Sequence, residues 1–226
     1  MVRTINQGGL MKKTVCVLSG GMDSATLAYL LTSVRDEVKA VSFFYGQRHR
    51  KELESAKAIA QMLGIDHKVI DISFLQELVS NSALTGDIEV PEGHYEDENM
   101  KLTVVPNRNA IMANIAIGYA VNIGFDEIAL GVHAGDHAIY PDCRPEFIAA
   151  LDAMSKIANF QPVSVYAPFL TFDKGDICRL GSHMGVDYSK TWTCYKGQDK
   201  PCGKCGSCQE RAEAFIKAGV KDPLME

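Results

Sequence analysis

Apolar positions first collect into a short continuous run, Thr14 to Leu18, the pattern of a strand buried on both faces. A glycine-rich stretch follows, then a helical pattern from about Ala25 to Leu31. A second apolar run, Val38 to Phe44, leads into an amphipathic stretch from about Arg48 to Leu63. There Leu53, Ala56, Ile59, Ala60 and Leu63 share one face, and Gly64 supplies the stop. A third run, His67 to Ile72, comes within a few residues. Further on, Asn109 to Asn122 reads as an apolar helix and Asp126 to Gly131 as another strand. Strands alternating with helices predict an α/β fold with a parallel sheet covered on both faces. Such a sheet binds ligands beyond the carboxyl ends of its strands, near a switch in strand order, so the loops after strands carry the chemistry.

Length and composition narrow this reading. A chain of 226 residues, 46% hydrophobic and 23% charged, is of globular type and has room for one sizeable core. The expected division is a main domain over 11–190 and a C-terminal segment over 191–226. Residues 1–10 precede a second methionine, Met11, and are set aside as an upstream extension or a tag. No apolar run reaches the roughly 18 to 20 residues that cross a bilayer, and no signal-type core is visible, so a cytoplasmic, membrane-free protein is expected. A net charge of −5 and a pI near 5.7 disfavour a nucleic-acid partner. The stretch Ser80 to Thr103, with His94, Tyr95, Glu96, Asp97 and Glu98, is either a lid or a mobile insertion.

Between the first strand and helix stands Ser19-Gly20-Gly21-Met22-Asp23-Ser24. Its glycines permit backbone angles closed to other residues, so successive N–H groups can turn toward one anion. Ser19 and Ser24 add hydroxyls, and the helix that begins near Asp23 adds free N–H groups and a positive dipole end. A helix-capping turn is the plainer alternative. Neither the lysine-bearing P-loop pattern nor the dinucleotide G-x-G-x-x-G pattern is present. The segment resembles the SGGxDS loop of the N-type ATP pyrophosphatases, which adenylate a carboxyl or carbonyl oxygen and release pyrophosphate.

Four of the seven cysteines, Cys194, Cys202, Cys205 and Cys208, fall within fifteen residues, where chance scatter would put about half of one. Four thiolates satisfy a closed tetrahedral zinc ion, and Gly203 and Gly206 let the chain wrap around it. The reading is a structural zinc site. An iron–sulfur cluster and redox-active pairs are the competing ones. Cys16 and Cys178 lie in a strand and a helix, where buried thiols are expected. Cys143 stands in a polar loop.

Five motifs in order carry a closer resemblance: the loop at 19–24, Tyr45-Gly46-Gln47-Arg48-His49, Val105-Pro106-Asn107-Arg108-Asn109, Tyr140-Pro141-Asp142-Cys143-Arg144, and Thr193-Cys194-Tyr195 with its three further cysteines. Over residues 11 to about 218 the chain resembles the 7-cyano-7-deazaguanine synthase family, QueC. The resemblance implies an adenine nucleotide alpha hydrolase-like, three-layer fold with a small four-cysteine appendage, and ATP-dependent conversion of 7-carboxy-7-deazaguanine and ammonia to the nitrile. It also implies Mg²⁺ beside structural zinc, and a homodimer.

That chemistry sorts the residues. Leu18, Ser19, Gly20, Gly21, Met22, Asp23 and Ser24 form the ATP side; Asp23 either caps its helix or assists Mg²⁺. Gln47 and Arg48, grouped with the ATP side, contact nucleotide or substrate or else solvate a helix start. Ser24, Lys174 and Arg108 are the catalytic candidates, Lys174 aimed at the leaving pyrophosphate and Arg108 at the α-phosphate. Asp142, or else Asp136, pairs with the guanine-type edge; Arg144 lies in the same motif. Tyr140, Tyr195 or Trp192 stacks on the ring. His133 and His137 are read as either site residues or one solvated and one structural histidine. Two departures from the family stand out: Asn107 at a usual glycine, tolerable because Asn accepts left-handed angles, and the changed loop 131–139. The loop keeps open an enzyme that stops at the amide or uses another amine. A zinc-ribbon enzyme that modifies tRNA is the third reading.

Overall fold

The computed structural model describes residues 12–47, 49–79, 81–86, 89–93 and 98–225. Five parallel strands, β1 (Lys13–Val17), β2 (Glu37–Phe44), β3 (Asp66–Asp71), β4 (Glu127–Ala129) and β5 (Ser164–Tyr166), form one sheet in the order β3-β2-β1-β4-β5. Between and after them run α1 (Met22–Val34), α2 (Lys51–Leu63), α3 (Arg108–Asn122), α4 (Pro145–Ala158), α5 (Lys174–Met184) and α6 (Gly206–Ala218).

The two-residue period of the strands divides the core into two layers. Val15, Val41 and Ile128 face α3 and α4, packing with Ala113, Ile117, Ile148 and Leu151. Their neighbours Cys16, Ala40 and Ala129 face the opposite way, toward Leu27 and Leu31 of α1, Ile59 of α2, Ile177 of α5 and Phe215 of α6. Helices therefore cover both faces, and the expected three-layer fold is present. The C-terminal helix belongs to this core as well as carrying a cysteine.

The early elements lie close to their expected bounds. Gly64 closes α2 in the left-handed region, with φ of 65°. Helix α1 runs three residues beyond Leu31, and the hydroxyls of Thr32 and Ser33 donate back to the carbonyls of Tyr29 and Leu30. Strand β4 is shorter than Asp126 to Gly131 at both ends. Helix α4 and the three-residue β5 were not anticipated. β5 is too short to show a period and pairs with β4 alone.

At the amino end of the sheet, Glu127 is buried and satisfied by Lys12 at 2.8 Å, Arg35 at 3.0 Å and the Thr14 hydroxyl at 3.0 Å. Buried charge is thus paired at the end away from the site. Buried Arg211 anchors α6: its guanidinium donates to both oxygens of Asp222 at 2.7 and 2.8 Å, to the Thr191 hydroxyl at 2.7 Å and to the Tyr188 carbonyl at 3.1 Å.

Candidate active site and four-cysteine centre

Chain order reverses at β1, which lies between β2 and β4, so the carboxyl ends of β1 and β4 open onto a cleft of about 260 Å³. The loop Ser19–Gly21 leaves β1 here and feeds directly into α1. Gly20 adopts φ of 95°, and a Cβ there would run into the Glu52 carbonyl of α2, so glycine is required. Opposite, Gly131 after β4 approaches so closely that a Cβ would stand 3.3 Å from the Ser24 nitrogen.

Ser24 organises the loop. Its hydroxyl oxygen accepts N–H bonds from Ser19 and Gly20, both at 3.2 Å, lies 3.0 Å from the Ser19 hydroxyl and donates to the Gly21 carbonyl at 3.1 Å. The loop donors therefore converge on one point. Leu18 and Met22 are fully buried; the Leu18 N–H donates to the Val41 carbonyl at 2.8 Å and its carbonyl receives the Ser42 hydroxyl. Asp23 does not cap α1. The cap is Gly21, without a side-chain bond, because Asp23 already lies within the first turn and points into the cleft.

Asp23 meets Lys174 there. The Lys174 ammonium, at the start of α5, is ion-paired with Glu210 of α6 and lies 3.4 Å from an Asp23 oxygen. Burial works against its charge, but the carboxylates of Asp23, Glu210 and Asp136 outweigh that and hold its pKa well above the ordinary lysine value. Glu210 is raised by burial despite Lys174. His133 is buried among them, its Nε2 3.4 Å from Asp136 and 3.7 Å from Asp23. His133, Asp136 and Glu210 are close enough together to suggest a cation site. The histidine accepts the Gly135 N–H on Nδ1 at 3.1 Å, while its Nε2 is buried and has no hydrogen-bond partner among the described residues.

The opposite wall carries Tyr45, Gln47, Glu52 and Arg108. Gln47 closes the turn after β2, accepting from the Tyr45 N–H at 2.9 Å and donating to the Phe43 carbonyl at 3.3 Å. Arg48 lies outside the described residues, as do His94, Tyr95, Glu96 and Asp97. Asn107 adopts φ of 58° at the amino end of α3, alone among the described non-glycine residues in a left-handed conformation. The turn that carries Arg108 into the cleft is thus preserved without glycine. Burial raises the Glu52 carboxyl to about 7, against the pull of Arg108.

The motif at 140–144 divides. Tyr140 and Cys143 line the cleft, the tyrosine hydroxyl 2.7 Å from the Thr103 hydroxyl. Asp142 and Arg144 do not line it. Asp142 accepts the Asn109 N–H at 3.0 Å, tying this loop to the first turn of α3, and Arg144 donates to the His137 carbonyl at 2.9 Å. Asp136 does face the cleft, as do Trp192 and Tyr195. Sequence reading missed Glu52, Glu210 and Ser207, whose only signal was the polarity of positions beside recognised motifs, and it gave Thr193, within the fifth motif, no role.

The four expected cysteine sulfurs lie within 4.8 Å of one another, and Sγ of Cys202 and Cys208 are 4.0 Å apart. A tetrahedral ion with metal–sulfur bonds of about 2.3 Å needs sulfurs about 3.8 Å apart, so the set fits one metal ion. Backbone N–H groups of Cys202 and Cys205 point at the sulfurs of Cys194 and Cys202, both at 3.3 Å, as thiolates require. The knot also holds part of the acidic segment: Val90 is buried against it, Glu92 pairs with Cys205 as a β-bridge, and Lys196 bonds Glu92 at 2.5 Å. Cys16 and Cys178 are buried, their thiols pushed up to about 12 and about 11 chiefly by desolvation.

The fold and the strand-to-helix phosphate loop define an adenine nucleotide alpha hydrolase-like protein. NMN synthetase from Francisella tularensis superposes with a TM-score of 0.52 at 15% identity, over 93% of this chain and 79% of that one. The U34-tRNA thiolase NcsA from Methanococcus maripaludis also gives 0.52, at 19% identity over 91% and 64%. The family described as Queuosine biosynthesis protein QueC matches residues 13–219, and the chain belongs to that family. A 7-cyano-7-deazaguanine synthase from Marinobacter nauticus is 56% identical over 210 residues, covering 93% of this chain and 95% of the relative. Another from a Marinomonas species is 54% identical over 217 residues, covering 95% and 98%.

Proposed function

We propose that the chain converts 7-carboxy-7-deazaguanine and ammonia, at the expense of ATP, into 7-cyano-7-deazaguanine for queuosine biosynthesis. The observation that carries this reading is the family match over 13–219 in a chain whose phosphate loop, Lys174 and Arg108 face one cleft. A carboxylate oxygen attacks the α-phosphate of ATP; pyrophosphate leaves, held by the loop once its N–H groups and the Ser19 and Ser24 hydroxyls turn from one another toward phosphate. Lys174 meets the developing charge on the leaving group, and Arg108 neutralises the α-phosphate. Ammonia displaces AMP from the acyl-adenylate to give the amide. The amide oxygen is adenylated in turn, and loss of AMP and of protons leaves the nitrile.

For Lys174 to act, its ammonium must turn from Glu210 and Asp23 toward phosphate. Asp23, Asp136 and Glu210 surround it with more negative than positive charge, a surrounding that favours bringing ATP in with Mg²⁺. Asp136 replaces Asp142 as the better-placed carboxylate for the guanine-type edge, with Tyr140 beside it. Zinc at the four cysteines serves as a structural ion: four sulfurs leave no open position for water. In this reading the enzyme works in the cytoplasm as a homodimer; among the described residues no helix is long and apolar enough to cross a membrane.

Incubating protein with ATP, Mg²⁺, ammonium and the carboxylic acid should yield AMP, pyrophosphate and the nitrile by mass spectrometry. The loop 131–139 favours a second reading, in which the enzyme stops at the amide or takes another amine. Accumulation of amide without nitrile would select it.

A further inference from the structure

A second hollow, of about 20 Å³, lies beside the cleft. Ile72, Leu75 and Val79, in and around the 3-10 turn Ser73–Leu78, form one wall; Val105, Pro106 and Ile111, at the amino end of α3, form the other. Its remaining lining is Tyr45, Arg108 and Met112, three residues that also line the cleft. The hollow therefore adjoins the main site at the cationic side chain assigned to the α-phosphate. Ile72, Val105 and Met112 are buried, whereas Pro106 reaches the surface.

We infer that this hollow is the ammonia site, admitting the neutral amine from solvent to the activated carboxyl beside Arg108. The inference rests on the proposed reaction. Size is its first support, since a cavity needs roughly 10–15 Å³ to hold one water-sized molecule, and this hollow holds little more. Charge is the second. Ammonium is costly to bring among aliphatic walls and is repelled by a guanidinium that does not lose its proton, whereas ammonia is neutral. Six aliphatic side chains offer water few partners, which disfavours hydrolysis of the acyl-adenylate at the same point. In the step itself the nitrogen lone pair forms the C–N bond and the C–O bond to AMP breaks. AMP leaves with that electron pair, and one proton passes from nitrogen to a cleft carboxylate.

The amide-to-nitrile round consumes no ammonia, which gives the test an internal control. Val79→Trp fills the hollow from its rim. The ammonium KM should rise at least about tenfold, while acid-dependent ATP–pyrophosphate exchange and conversion of supplied amide to nitrile stay within about twofold. Ile111→Ala widens the hollow and should let methylamine compete with ammonia more effectively than in the unaltered chain. An unchanged ammonium KM in folded Val79→Trp would overturn the inference, as would an equal fall in the amide reaction, or unchanged methylamine discrimination in Ile111→Ala. Failure of the unaltered chain to form AMP with the acid would instead overturn the underlying reaction.

Discussion

The phosphate loop and the C-terminal arm from Trp192 to Met225 reach the same cleft by opposite means. The loop is made of consecutive residues whose N–H groups and hydroxyls bond to one another, so its shape is set within six positions. The arm acts at long range: the cysteine knot fixes the start of α6, Arg211 locks the helix, and Glu210 thereby meets Lys174, 36 positions away in the chain. A self-organised element tolerates change elsewhere, whereas an assembled one transmits it. The two should respond differently to substitution.

The largest expected effect falls on the chemistry they share. Lys174→Ala should lower AMP formation by about 10²–10³-fold with the circular dichroism spectrum intact. AMP released at the normal rate would remove this lysine from the site. Next, Cys205→Ser should lose bound metal and lower Tm by roughly 10 °C, as α6 is released. An unaltered melting curve with metal absent would show that the arm holds itself together.

The wall between them gives a smaller effect with a defined pH window. Glu52 moves from the ordinary 4.5 to about 7 through burial, so between those values the folded state holds a proton that the unfolded chain has lost. Stability should therefore fall as pH rises from 4.5 to 7, by on the order of 1–3 kcal/mol, the upper figure being the full shift at roughly 1.4 kcal/mol per unit before solvent screening at this half-buried group. Glu52→Gln should reduce that fall in denaturant titrations, leaving the part that Glu210, also raised by burial, contributes; the same slope in the variant would place the proton elsewhere. The smallest effect tests the coupling itself. Glu210→Gln should leave Tm within about 2 °C yet change the ATP KM several-fold, because Lys174 loses its resting partner. A KM equal to that of the parent would mean the arm does not influence the phosphate end.

The same contrast governs how much was legible in the sequence. Gly20, Ser24 and Asn107 were readable because backbone angles and local N–H groups decide them, and Gly64 as a cap for the same reason. The four cysteines were readable from spacing alone. Glu210, two positions past the last of them, was not, since its role depends on how α6 packs on α5. Asp142 misled because the motif places it beside Tyr140 and Cys143, yet the backbone turn sends its carboxylate to the Asn109 N–H. Helix α4 and strand β5 escaped because neither showed a period or cap strong enough to mark it.

Trp192 gives this architecture an optical handle. It is the one tryptophan in the chain, its backbone N–H donates to the Gly20 carbonyl at 2.9 Å, and its indole N–H donates to the Cys194 carbonyl at 2.9 Å. Lys51 lies 4.7 Å from its ring centroid. A single chromophore thus bridges the phosphate loop and the cysteine knot. Its emission spectrum should register nucleotide entering at one end and metal leaving at the other, with no label added.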